Sequence, residues 1–141
     1  IDPQTLEVTR VADDFDHPNG LAFSKNEKHL FIADSGGTEG PTRPKHIRQF
    51  DVDVSGKTLG RSTIFAECPA GFFDGFRIDN EDRLWTSCAE GVICYRHDGQ
   101  LIGRIKVPEM VANLTFGGVQ RNRLFICGTT SLYAVYLKVN G

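Results

Sequence analysis

Asn19-Gly20-Leu21-Ala22-Phe23-Ser24, a polar turn, and Leu30-Phe31-Ile32-Ala33-Asp34 make up a unit that the chain writes three times. The second copy reads Asp74-Gly75-Phe76-Arg77-Ile78-Asp79, a turn, and Leu84-Trp85-Thr86-Ser87. The third reads Asn113-Leu114-Thr115-Phe116-Gly117-Gly118, a turn, and Leu124-Phe125-Ile126-Cys127. A third apolar stretch follows each time, over Ile47–Val52, Val92–Tyr95 and Leu132–Leu137, and two units add a fourth, Ser62–Phe65 and Leu101–Val107. Short runs rich in β-branched and aromatic residues, bounded by turn residues and lacking helical periodicity, predict strands. Asp98-Gly99 is a hairpin signal between the third and fourth strands of the second unit.

Four antiparallel strands recurring every ~40–50 residues is the pattern of propeller blades. The fold class is therefore all-β, a β-propeller, with blade openers at 19, 74 and 113. The longer first interval contains Gly36–Lys45, rich in Gly, Pro and Thr, which reads as a long loop between strands. Ahead of the first opener, Thr5–Ala12 alternates as a strand would. The whole chain, residues 1–141, then holds about three four-stranded blades, the third lacking its last strand. Rings need ~4–8 blades, and open edges invite pairing. A further polypeptide segment of similar size is expected to close the ring, with a two-fold dimer of half-propellers as the alternative. The opening Ile1-Asp2-Pro3, without methionine or signal peptide, is read as a missing beginning.

Composition narrows the partners. A chain of 141 residues with 40% hydrophobic and 24% charged residues suits one globular domain. The formal net charge of −2 supplies no basic footprint for phosphates, so nucleic acid is not an expected partner. No run approaches the ~18 apolar residues of a membrane-spanning helix, so no membrane is expected either. Cys68, Cys88, Cys94 and Cys127 form no C-x-x-C pair, and all four are read as reduced and buried.

In a propeller the first strand of each blade lines the central channel, so residues opening those strands converge near the axis. Asn19, Asp74 and Asn113 occupy that position. All three offer oxygen, which hard cations such as Ca²⁺, Mg²⁺ and Mn²⁺ prefer, and Zn²⁺ also accepts carboxylates. Asn-Gly and Asp-Gly are equally turn dipeptides, tolerant of positive φ. Asp34, Asp51, Asp53 and Asp79 at strand ends are read as turn acids. His17, beside Pro18, reaches the channel rim or stays a surface histidine. No G-x-S-x-G elbow and no phosphate-cradling glycine loop is present. Trp85 and the phenylalanines read as packing between blades.

The run His17-Pro18-Asn19-Gly20-Leu21-Ala22-Phe23-Ser24 with Leu30-Phe31-Ile32-Ala33-Asp34-Ser35 resembles the gluconolactonase and regucalcin (senescence marker protein) family. Phe73-Asp74-Gly75-Phe76-Arg77-Ile78-Asp79 and Asn113-Leu114-Thr115-Phe116-Gly117-Gly118 extend that resemblance in order. Thr129-Thr130-Ser131-Leu132-Tyr133-Ala134 is similar to endings in the bacterial gluconolactonase branch. The resemblance implies the C-terminal half of a six-bladed ring with one divalent cation in its channel, calcium foremost and Mg²⁺, Mn²⁺ or Zn²⁺ as alternatives. It implies a glutamate, an asparagine and an aspartate as ligands; the latter two map onto Asn19 and Asp74. The glutamate has no counterpart, since Glu7 does not match the pattern. Asn113 maps onto a channel-lining position expected to touch substrate, with His17 at the rim. The implied reaction is hydrolysis of a sugar lactone to its aldonic acid, with Asp74 also the expected general base, a role that coordination would weaken. Rival readings are a non-catalytic propeller that binds a protein or sugar acid, and a hydrolase of other lactones or phosphotriesters. A cytoplasmic location is expected over a periplasmic one.

Overall fold

A computed structural model describes residues 1–53, 55 and 58–141. The strands are β1 (Pro18–Phe23), β2 (His29–Asp34), β3 (His46–Val52), β4 (Leu59–Glu67), β5 (Phe76–Ile78), β6 (Leu84–Cys88), β7 (Gly91–Tyr95), β8 (Leu101–Lys106), β9 (Val111–Gly117), β10 (Arg123–Gly128) and β11 (Leu132–Tyr136). They form three antiparallel sheets in sequential order: β1-β2-β3-β4, β5-β6-β7-β8 and β9-β10-β11. The innermost strands run side by side, β1 against β5 and β5 against β9. These are three blades of a β-propeller, the third three-stranded among the described residues. No helix among them is long and apolar enough to cross a membrane, which says nothing of a β-barrel.

Strand alternation builds two cores between blades and a third cluster, Leu30, Ile32 and Phe50, on the other face of the first blade. Phe31, Ala33 and Ile47 of the first blade meet Phe76, Leu84 and Ile93 of the second, while Val92 and Trp85 of the second meet Leu114, Phe116 and Ile126 of the third. The middle blade is thus covered on both faces, which is why β7 is buried from Gly91 to Tyr95 without alternating. Trp85 packs edge-on to Phe116, ring centroids 6.2 Å apart, and its indole N–H donates to Asp79 at 2.8 Å. Trp85, Phe73, Phe76 and Phe116 therefore serve contact between blades, as expected, whereas Phe23 is exposed and Phe50 packs with Phe15 on the first blade alone. Gly99 sits at φ +83° in the β7–β8 turn, with the Asp98 carboxylate accepting from the Gln100 N–H, so Asp98-Gly99 is a hairpin turn.

Three expectations need correction. Thr5–Ala12 forms no strand: an alternating segment becomes a strand only beside a free edge, and no described strand pairs with it. Asp74 and Gly75 precede β5 rather than opening it, because their backbone bonds go to Ser87 and to Ala112 of the next blade. Cys127 is exposed, because alternation along β10 sends Leu124 and Ile126 into the core and Cys127 to the opposite face.

The other three cysteines are free and buried. Burial pushes the Cys68 thiol up to about 11 and that of Cys94 to about 12, and raises Cys88 as well. Alkylation of the native chain at neutral pH should modify Cys127 alone, and all four cysteines after denaturation. Peptide mass spectrometry checks this, and early labelling of Cys68, Cys88 or Cys94 would contradict the packing.

Candidate functional site

The starts of the inner strands lie close together, and glycines permit the approach. A Cβ built on Gly20 would overlap the Asp74 carbonyl oxygen and lie 3.1 Å from the Gly75 Cα. One built on Gly75 would overlap the Asn113 side chain and lie 3.0 Å from the Ala112 carbonyl oxygen. Neither glycine has φ in the left-handed region, so the turn explanation for Asn19-Gly20 and Asp74-Gly75 is replaced by close contact between blades. The Gly75 N–H donates to the Ala112 carbonyl at 2.8 Å, tying the second opener to the third blade.

The structure brings Asn19 and Asp74 together: Gly20, next to Asn19, lies against the Asp74 backbone, and the Asn19 amide is near enough to the Asp74 carboxyl to favour its charged form. Burial raises the Asp74 carboxyl above its ordinary range, and the Asn19 amide only partly opposes this. Among the described residues no cationic side chain contributes to the balance. Asn113 is the next residue around the axis, against Gly75, with its Oδ1 also accepting from the Leu114 N–H at 2.8 Å. Among the described residues no group of three or more His, Cys, Asp or Glu is placed to hold a metal. Of the three channel donors only Asp74 is of those types, the other two being amides.

His17 stands at the edge of this group. Its Nδ1 lies 3.0 Å from Asp16 Oδ1, and about half of its side chain is exposed. Asp16 is clasped by Arg43 of the long β2–β3 connection, which holds the Asp16 carboxyl below its usual range. That connection opens with a 3-10 turn, Gly36–Thr38, and borders the first opener.

Asp34, read as a turn acid, and Ser35, which entered only as the end of a family-like motif, turn out to organise the site. Asp34, 2% exposed, accepts the N–H of Asp16 at 2.9 Å, of His17 at 2.8 Å and of Gly36 at 3.3 Å. Ser35, equally buried, donates its N–H to the His17 carbonyl at 2.9 Å and its hydroxyl to the Phe73 carbonyl at 2.5 Å. On the second blade, Ser87 Oγ accepts the Asp74 N–H at 3.1 Å. Asp79 likewise exceeds a turn acid: it takes the N–H groups of Glu81 and Arg83 and the side chains of Arg83 and Trp85. The sequence signals for Asp34-Ser35 were a pair of polar residues closing the apolar run of β2 and their place at the end of the family-like motif.

The family model described as SMP-30/Gluconolactonase/LRE-like region matches residues 1–130. Regucalcin of Danio rerio is 30% identical over 132 residues, covering 89% of this chain and 41% of that protein. Gluconolactonase of Zymomonas mobilis is 27% identical, covering 88% of this chain and 36% of that protein. A solved gluconolactonase from Xanthomonas campestris superposes with a TM-score of 0.79 at 37% identity, covering 90% of this chain and 39% of that one. A calcium-binding regucalcin from Agrobacterium tumefaciens shares the fold, with a TM-score of 0.78 at 22% identity over 96% of this chain and 50% of that one. The chain spans under half the length of the curated relatives it matches. With three co-linear blades, converging openers and a family match over most of its length, the chain belongs to the SMP-30/gluconolactonase/LRE-like family.

Proposed function

We propose that this chain carries part of the site of a divalent-cation-dependent lactonase that opens a sugar lactone of the gluconolactone type to its aldonic acid. The observation that carries the reading is the pairing of Asn19 with a partly desolvated Asp74 carboxyl that has no cationic neighbour among the described residues. A half-buried carboxylate without a counter-charge is disfavoured relative to one in water, and a hard cation is the partner that oxygen donors of this kind accept. Asn19 and Asp74 would hold the cation, calcium foremost with Mg²⁺, Mn²⁺ or Zn²⁺ as alternatives, and its chemistry there would be Lewis-acid polarisation of the lactone carbonyl.

The chain's own residues supply positioning and proton transfer. Asn113, against Gly75, is placed to meet the substrate as it enters between the openers. His17, exposed at the edge, offers a polar contact for the sugar hydroxyls. Water adds to the lactone carbonyl carbon, the ring C–O bond breaks, and the proton lost by water ends on the released ring oxygen. Asp74 is the carboxylate that could take up that proton in between, a role that holding the cation weakens, since a bound cation offsets the basicity that burial confers. The remaining ligand and the rest of the channel wall belong, in this reading, to a further polypeptide segment that closes the ring.

The test is lactone opening by the native polypeptide, followed by acid release at constant pH with and without chelator. Turnover should vanish with chelator and return with calcium. Turnover indifferent to chelator would overturn the cation dependence. Binding of a sugar acid without turnover of any lactone would make the protein a non-catalytic propeller.

A further inference from the structure

We propose that Ser35 is a positioning residue: it clamps the segment that leads into β1, the strand carrying Asn19, to the loop carrying Asp74 and thereby helps set the spacing of the two oxygen donors. The inference rests on the reading of Asn19 and Asp74 as the cation-holding pair.

The two donors belong to different blades, and no strand ladder joins those blades. Their separation is therefore fixed by packing between the blades and by side-chain contacts that cross the boundary. Ser35 makes one contact in each direction. Its N–H binds the carbonyl of His17, two residues before Asn19, and its hydroxyl binds the carbonyl of Phe73, one residue before Asp74. Both ends of this bridge are rigid. On the first blade, Asp34 holds the N–H groups of Asp16 and His17, and the Ser35 carbonyl accepts the N–H and the hydroxyl of Thr38 at 3.0 Å each. On the second, the Phe73 ring is fully buried and packs edge-on to Tyr95, centroids 6.1 Å apart. Every polar group of Ser35 is thus in use, and the hydroxyl is the only one directed across the blade boundary. Ser87 provides the contrast: its hydroxyl holds the Asp74 N–H from within the same blade and has no bearing on the distance to Asn19.

Losing the Ser35 hydroxyl leaves the Phe73 carbonyl without this partner in a buried setting and frees the two segments to move apart. Calcium accepts 6–8 oxygens in flexible arrangements, whereas magnesium demands near-ideal octahedral geometry with short bonds. Slack between Asn19 and Asp74 should therefore penalise magnesium more than calcium. A general loss of stability would lower the melting point without reordering the two cations.

The experiment uses the native polypeptide and its Ser35→Ala and Ser35→Thr variants, titrated calorimetrically with CaCl2 and MgCl2, with amide hydrogen exchange measured free of metal. Ser35→Ala should lose about tenfold in calcium affinity and more in magnesium affinity. Ser35→Thr, which keeps the hydroxyl, should recover most of the calcium affinity. Exchange should quicken in Ser35→Ala at residues 16–19 and 73–75. If Ser35→Ala does not fold, Ser35→Cys keeps the shape with a weaker donor and should show the same changes at smaller size. A folded variant lacking the hydroxyl that binds both cations as the parent does would overturn the clamp. Should the parent bind neither cation, the pairing of Asn19 and Asp74 as ligands fails. Exchange then decides separately whether Ser35 joins the segments, and unchanged protection refutes that too.

Discussion

Asp74→Ala in the native polypeptide should lower kcat/KM for lactone opening by at least 10²–10³-fold, on the order of what one directed electrostatic group contributes. It should also remove measurable cation binding. Asp74→Asn separates the charge from the shape, and pH sharpens the comparison. The folded Asp74 carboxyl holds its proton more tightly than an ordinary aspartate does, because of burial. Its contribution therefore favours folding fully below the ordinary carboxylate range and is lost as pH rises through the raised value. At neutral pH the ionised carboxylate is a burden on the cation-free fold. Asp74→Asn should consequently leave the thermal midpoint in chelator unchanged or raise it by roughly 1–3 °C at pH 7, with the difference vanishing near pH 3. Binding is lost all the same, so stability and function move in opposite directions. A clear fall in the midpoint at pH 7 would show Asp74 to be a structural acid.

What the sequence disclosed, and what it concealed, divide by range. Period-two alternation is local, so Leu30 to Asp34, Leu84 to Ser87 and Leu124 to Cys127 were legible as second strands, and Asp98-Gly99 as a turn. The convergence of Asn19, Asp74 and Asn113 followed from repeat position alone, since blades place equivalent residues at equivalent distances from one axis. Asp34 and Ser35 were not legible, because their partners at His17 and Phe73 lie across a turn of the chain or across a blade boundary. Thr5–Ala12 carries the pattern of a strand but not its partner, and a pattern alone cannot pair. Cys127 failed for a simpler reason: one step along β10 moves a side chain from the buried face to the open one. His17 shows a related limit, since its Nδ1 contact is to the adjacent Asp16 and that acid is in turn held by Arg43 from the long connection.

Gly20 is where local and long-range logic conflict, and its substitution is expected to have the largest structural effect. Residue type suggests a turn glycine, for which alanine would cost strain in φ alone. Its backbone is not left-handed, and the obstruction is the next blade: a Cβ would meet the Asp74 carbonyl group and the Gly75 Cα, all of them backbone atoms. Backbone cannot swing aside as a side chain can, so the inner strands β1 and β5 would have to separate. Gly20→Ala should cost about 3 kcal/mol, the upper end for overpacking, and should weaken cation binding with it, because the separation moves Asp74 away from Asn19. Gly75→Ala should cost less, since part of its obstruction is the Asn113 side chain, though the Ala112 carbonyl at 3.0 Å still resists. Gly103 on β8 is the control: its Cβ would stand 3.6 Å from that of Cys94, an ordinary contact, and Gly103→Ala should stay within roughly 0.5 kcal/mol of the parent. Denaturant unfolding of the three variants orders them, and calorimetry reports the site. If Gly20→Ala proved as stable as Gly103→Ala, the blades would not be in contact at their openers. The convergence of Asn19 and Asp74 that underlies the proposed site would lose its structural basis.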